Sequence, residues 1–161
     1  MSTSATTTTT TATTHGSRQV DVRGPRFAAW ITTAVLVVVL VVASVSTAVA
    51  GVLLAAQTVV FAAGAALGPR RSPYGLLFAR FVAPRSSAPT ETEPVAPLRF
   101  AQLVGFVFAA VGTFAFLLGA DLTGLVATGF ALFAALLNAA FGVCLGCRIY
   151  PLVARFRAVA A

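Results

Sequence analysis

The sequence contains no lysine and only four acidic residues in 161, and charged residues make up just 9% of it. An average soluble domain carries about 25% charge. There is one histidine, one tryptophan, one methionine and two cysteines. Each shortage excludes something. The lone His15 lies in a threonine-rich stretch, so no Ser-His-Asp set and no haem ligation can be assembled. The acids Asp21, Glu91, Glu93 and Asp121 give no pair of catalytic carboxylates. No glycine-rich phosphate loop is present. A closed zinc site needs four ligands, and the two cysteines supply half, so no metal site and no cofactor are expected. What is abundant is apolar: 58% of residues are hydrophobic and the mean hydropathy is +0.94. That composition excludes a soluble enzyme and a wholly disordered chain, and it points to one small integral membrane domain.

Residues 1–19 are low in complexity, with threonine at 3, 6–11, 13 and 14. Such a segment cannot bury apolar surface and is expected to be a disordered cytoplasmic tail. The membrane domain is expected over 20–161. Four apolar blocks run over about 27–46, 49–67, 100–118 and 122–143. A helix needs about 20 apolar residues to cross a 30 Å hydrocarbon core, and backbone in lipid must satisfy its own hydrogen bonds, so each block reads as a spanning helix. The valine run from Val35 to Val42 would favour a strand in water; length and context overrule it.

The eleven basic residues are all arginine, in groups of three, five and three. Arg18, Arg23 and Arg26 precede the first block. Arg70, Arg71, Arg80, Arg85 and Arg99 lie between the second and third, and Arg148, Arg155 and Arg157 follow the fourth. In a soluble protein a net charge of +7 would suggest nucleic acid. Here the excess gives orientation, and no nucleic-acid partner is implied. The connections near 46–48 and 119–121 hold no arginine, so the positive-inside rule puts them outside, and both termini and the 68–99 linker in the cytoplasm. The expected location is the inner (plasma) membrane.

Two segments beside the spans, 73–82 and 150–156, mix aromatics, aliphatics and arginine, as short helices on a membrane surface do. In them Tyr74 and Tyr150 are expected at headgroup level, and Arg70 and Arg71 near anionic lipid. Residues 84–97 form a proline-rich linker. The halves resemble each other. Arg26-Phe27-Ala28 opens the first helix and Arg99-Phe100-Ala101 the third; a glycine-rich end, a tyrosine and then Ala-Arg-Phe follow in both halves. With two spans per half, the expected fold is an all-α membrane protein with four transmembrane helices in a parallel 2+2 internal repeat, plus interfacial helices after the second and fourth. Its small residues allow close packing within the bundle, and a homo-oligomer remains open.

Cys144 and Cys147 are spaced C-x-x-C where the repeat symmetry breaks, since the first half has no cysteine. Two placements are open. At the C-terminus of the fourth helix the dipole would raise a thiol's pKa. If that helix stops near Gly146, Cys147 caps the next helix, with Pro151 in its first turn, and the dipole and Arg148 favour the thiolate. Three readings of the pair stand: thiol redox or sulfur transfer, inert packing, and metal binding shared with another subunit. Asn138 lies in the fourth span before Cys144, either as a ligand or quinone contact or as an interhelical hydrogen bond. Asn138 and Arg148 would tune the cysteine site. With no ionisable residue in mid-span, an ion-coupled transporter is disfavoured.

The stretches 23–27, 72–78 and 99–102, and above all Leu137-Asn138-Ala139-Ala140-Phe141-Gly142-Val143-Cys144-Leu145-Gly146-Cys147, resemble a bacterial membrane family catalogued as domain of unknown function 4395. Val143 stands where an aromatic would be expected. The resemblance covers about residues 20–157 and carries no established activity. It implies an actinobacterial-type inner-membrane protein, and a cytosolic thioredoxin-like or sulfurtransferase protein as partner beside the lipid bilayer. The leading functional reading is a thiol redox or sulfur-transfer component. A small-solute carrier and a structural or assembly subunit are the alternatives.

Overall fold

The computed structural model describes residues 19–86 and 91–159. The tail expected to be disordered lies, up to residue 18, outside the described residues. The chain forms β1 (Gln19–Asp21), α1 (Arg23–Ala43), α2 (Thr47–Leu67), α3 (Pro73–Leu77), β2 (Thr92–Pro94), α4 (Val95–Leu117), α5 (Asp121–Phe141) and α6 (Leu145–Val159). A π-helical turn (Phe78–Val82) and a 3-10 turn (Ala83–Arg85) continue from α3.

The four long helices have 21, 21, 23 and 21 residues. At 1.5 Å per residue each is about 31–35 Å long, enough to cross a 30 Å hydrocarbon core. All four are apolar enough to cross a membrane. Their outward faces carry Trp30, Val38, Val41, Val59, Phe114 and Phe130, each more than half exposed. Water would penalise that surface, and lipid does not. The chain therefore reads as a multi-pass membrane protein in a bilayer.

The helices start earlier than their apolar blocks. Helix α1 begins at Arg23, four residues ahead of the block at 27, because the Asp21 carboxylate accepts the Arg23 backbone N–H at 3.0 Å and pairs with its guanidinium at 3.2 Å. Helix α4 begins at Val95, five residues ahead of Phe100, directly after β2. β1 and β2 pair antiparallel, Val20 opposite Glu93, and tie the start of α1 to the start of α4.

The core follows helical spacing. On α2, Ala50, Leu54, Gln57, Phe61 and Gly64 are buried, three or four residues apart. They meet Ala109, Gly112 and Phe116 of α4 and Leu36 and Val39 of α1. α5 contributes mostly small residues: Gly124, Ala127, Thr128, Ala131 and Ala139. Small side chains let helices approach closely where no hydrophobic force drives them together in lipid. α2 packs chiefly on α4 and α1 chiefly on α5, while α1–α2 and α4–α5 form hairpins. The Thr58 and Thr113 hydroxyls join α2 to α4 at 3.2 Å.

The start of each hairpin adjoins the end of the other. Arg99, near the start of α4, donates to the carbonyls of Ala65 and Ala66 at 2.7 and 2.6 Å, satisfying the open end of α2. Arg26, in the first turn of α1, lies beside Gly142 at the end of α5: a Cβ there would come within 4.0 Å of the guanidinium carbon.

Candidate functional site around Cys144 and Cys147

The end of α5 decides where the cysteines sit. Gly142 takes φ 67°, a left-handed conformation that side chains disfavour, and stops the helix after Phe141. Both cysteines thus leave α5. Cys144 directly precedes α6, and its carbonyl accepts the Arg148 N–H at 3.1 Å. Its Sγ accepts the Cys147 backbone N–H at 3.3 Å. The capping residue is therefore Cys144, not Cys147. Pro151 falls inside α6 and not in its first turn. Gly146, between the cysteines, is buried against α4; a Cβ there would lie 2.6 Å from the Ala101 Cα. That contact fixes the N-terminus of α6 on the bundle.

This placement separates the thiols electrostatically. Hydrogen bonding from the Cys147 thiol, and from the N–H groups of Cys147 and Gly146, holds the Cys144 thiol below its ordinary value, although burial and the Glu93 carboxylate oppose it. The Cys147 thiol is pushed far up by its hydrogen bond to Cys144, by burial and by the nearby negative charges. Of the two, Cys144 is the thiol that gives up its proton more readily. Both are free thiols and half-buried.

A cavity of about 550 Å³ opens beside Cys144, between α1, α4 and α5, with α3 along one side. Cys144 and Asn138 both line it. Their juxtaposition joins two residues singled out from the sequence. Gln102 also lines it and was noted from the sequence only as a polar residue near the membrane. Arg70 is on the cavity wall as well, whereas Arg71 is exposed on the α2–α3 turn. The side chain of Arg148 is exposed and does not line the cavity. The Tyr74 hydroxyl turns inward and donates to Gln57 Oε1 at 2.6 Å. Tyr150 packs against Phe100, ring centres 5.9 Å apart. Among the described residues, no three His, Cys, Asp or Glu side chains cluster as a metal site would need.

The cavity itself was not legible from the sequence, because it arises where alanines of α5 face small residues of α1 and α4 and leave space unfilled. Neither a curated protein nor a solved structure matches the chain. The profile of a domain of unknown function (DUF4395) matches residues 20–155, essentially the whole described fold, and the chain belongs to that family.

Proposed function

We propose that the protein is a membrane thiol-redox component in which Cys144 attacks and Cys147 resolves. The observation that carries this is the capping geometry: the Cys144 sulfur accepts a helix N-terminal N–H, with the second thiol beside it. A helix N-terminus favours negative charge, and the thiolate is the form that attacks a disulfide. A mixed disulfide formed on Cys144 is then released by Cys147, whose proton leaves as it attacks. The partner this chemistry fits is a soluble dithiol protein of thioredoxin-like kind.

The arginines support a cytoplasmic placement of this end, in the inner membrane. Arg26, Arg70, Arg71, Arg99 and Arg148 all sit at helix ends that adjoin one another, and the other connections carry none. In a reducing compartment such a pair cycles, and a permanent disulfide is disfavoured. Arg70, Arg71, Tyr150 and α6 then meet the inner leaflet, with residues 20–159 as one membrane domain. The reading of the halves as a parallel repeat is supported by the pairing of α2 with α4 and α1 with α5, and by Arg99 and Arg26 at matching helix ends.

The test is a trap. Full-length Cys147→Ser, expressed in its own cells and acid-quenched, is run on a non-reducing gel. The expected result is a larger species that dithiothreitol dissolves and that Cys144→Ser/Cys147→Ser lacks. The same band in the double variant, or none in the single variant, would overturn the reading.

A further inference from the structure

The cavity beside Cys144 is graded. At its outer end stand Arg23, Arg70, Ser72 and Ser86 with the thiol; one to two turns deeper come the amides of Asn138 and Gln102. Beyond them the walls turn mostly apolar, with Ala29, Phe61, Phe108 and Ala131 beside the Thr32 hydroxyl. Ala131 lies ten residues before the end of α5. At 1.5 Å per residue the cavity therefore reaches about 15 Å inward, near the middle of a 30 Å hydrocarbon core. Its volume suits a ligand of tens of heavy atoms. Asn138 and Gln102 are only partly buried and both line the cavity. The Gln102 Oε1 packs toward Gly64 of α2, where a Cβ would lie 2.8 Å from it, so Asn138 is the amide placed beside the thiol. A polar end, two amides and an apolar depth describe the shape of an amphipathic molecule that enters from the bilayer. The sulfur at its polar end belongs to a dithiol, which has two electrons to give.

Resting on the dithiol reading above, we propose that this cavity binds a bilayer-dissolved quinone that takes electrons from the cysteine pair. Its ring carbonyls sit near Cys144, one accepting a hydrogen bond from the Asn138 amide, and its hydrocarbon tail runs toward Ala131. Two S–H bonds break and one Cys144–Cys147 S–S bond forms. The two electrons and two protons pass to the quinone, which becomes a quinol. A soluble dithiol partner re-reduces the pair by the reverse of the exchange described above. Its thiolate attacks the Cys144 sulfur, Cys147 leaves as the thiol, and the partner's second thiol releases Cys144, so electrons flow from that partner to the membrane pool.

The test uses full-length protein, reduced and desalted, in nanodiscs of phosphatidylcholine and phosphatidylglycerol. Decyl-ubiquinone is added; quinone loss is followed by absorbance and thiols are counted with a mass-tagged maleimide. Diamide, a water-soluble thiol oxidant, is the parallel arm. The expected result is one quinone reduced per two thiols lost. Ala135→Trp, which fills the cavity, slows the quinone reaction at least tenfold and leaves the diamide reaction unchanged. Asn138→Leu keeps the volume, removes the amide and slows the quinone reaction alone. Should Ala135→Trp fail to give a monodisperse protein, Asn138→Leu carries the test. A disulfide formed by diamide but not by quinone, or a quinone rate equal in wild type and both variants, would overturn the quinone site and leave the dithiol standing. A cavity holding only phospholipid gives that same result. Failure of diamide to form an intramolecular disulfide would remove the dithiol reading, and the quinone site with it.

Discussion

Two short helices begin in the same way and differ in one atom. α2 ends at Gly68 with φ 89°, and after a turn Ser72 opens α3, its hydroxyl accepting the Gly75 N–H at 3.1 Å. α5 ends at Gly142 with φ 67°, and after a shorter turn Cys144 opens α6, its sulfur accepting the Cys147 N–H at 3.3 Å. The backbone task is identical: one orphan donor at a helix start is satisfied by a side chain three residues earlier. Serine is among the residues best suited to it, and cysteine is not. The first half of the chain thus shows what capping alone requires. The second half replaces oxygen by sulfur and adds a second thiol at the position of Gly75. Capping gives no reason for either change, and both are what dithiol exchange requires.

Substitutions can break this comparison, and the largest effect is chemical. Cys144→Ser leaves a good cap but abolishes disulfide formation on diamide treatment, whereas Ser72→Ala leaves it intact; thiol counting by mass tag reads both. Next comes packing. Gly146→Ala places a methyl group against the Ala101 backbone and should cost about 1–3 kcal/mol, the usual price of overpacking, seen as a lowered Tm in detergent. Capping follows. Ser72→Ala should cost about 1 kcal/mol, while Cys144→Ser should change stability by less than about 0.5 kcal/mol, because its hydroxyl accepts the same N–H. If Cys144→Ser were as damaging as Ser72→Ala, the two caps would not be equivalent.

The smallest effect is a shift in pH dependence. Cys144 is held below its ordinary value, so its thiolate persists as pH falls past the point where a free cysteine protonates. The stability this gives is present above the unfolded thiol pKa and is lost as pH falls through the lowered one. Alkylation of Cys144 by iodoacetamide, followed by mass spectrometry, should therefore stay fast to lower pH than for a free thiol. Cys147→Ala removes the largest cause of the lowering and should move the decline to higher pH. An unmoved profile would show that Cys147 does not act on Cys144.

The sequence revealed the four long helices because about 20 apolar residues in a row have one stable backbone in lipid. It also drew attention to Cys144, Cys147 and Asn138, since thiols and amides stand out in an apolar chain. Which cysteine caps α6 was hidden, because α5 could have stopped at Gly142 or at Gly146. The choice rests on tertiary packing: Gly146 is needed against Ala101, which leaves Gly142 free to turn the chain. The β1–β2 ribbon was hidden too. Gln19, Val20 and Asp21 before α1 pair with three residues from a proline-rich linker some seventy residues away, and three residues are too few for strand periodicity to show. The inward turn of Tyr74 to Gln57 depends on how α3 folds back on α2, which spacing along one helix cannot encode.

The central claim is that Cys144 and Cys147 form a working dithiol. The most direct measurement is their redox state in living cells: acid quench, labelling with a mass-tagged maleimide, and counting tags by gel shift before, during and after a mild oxidant pulse. The account predicts two tags, then none, then two again. Two tags throughout, while a control dithiol protein in the same cells shifts, would contradict it.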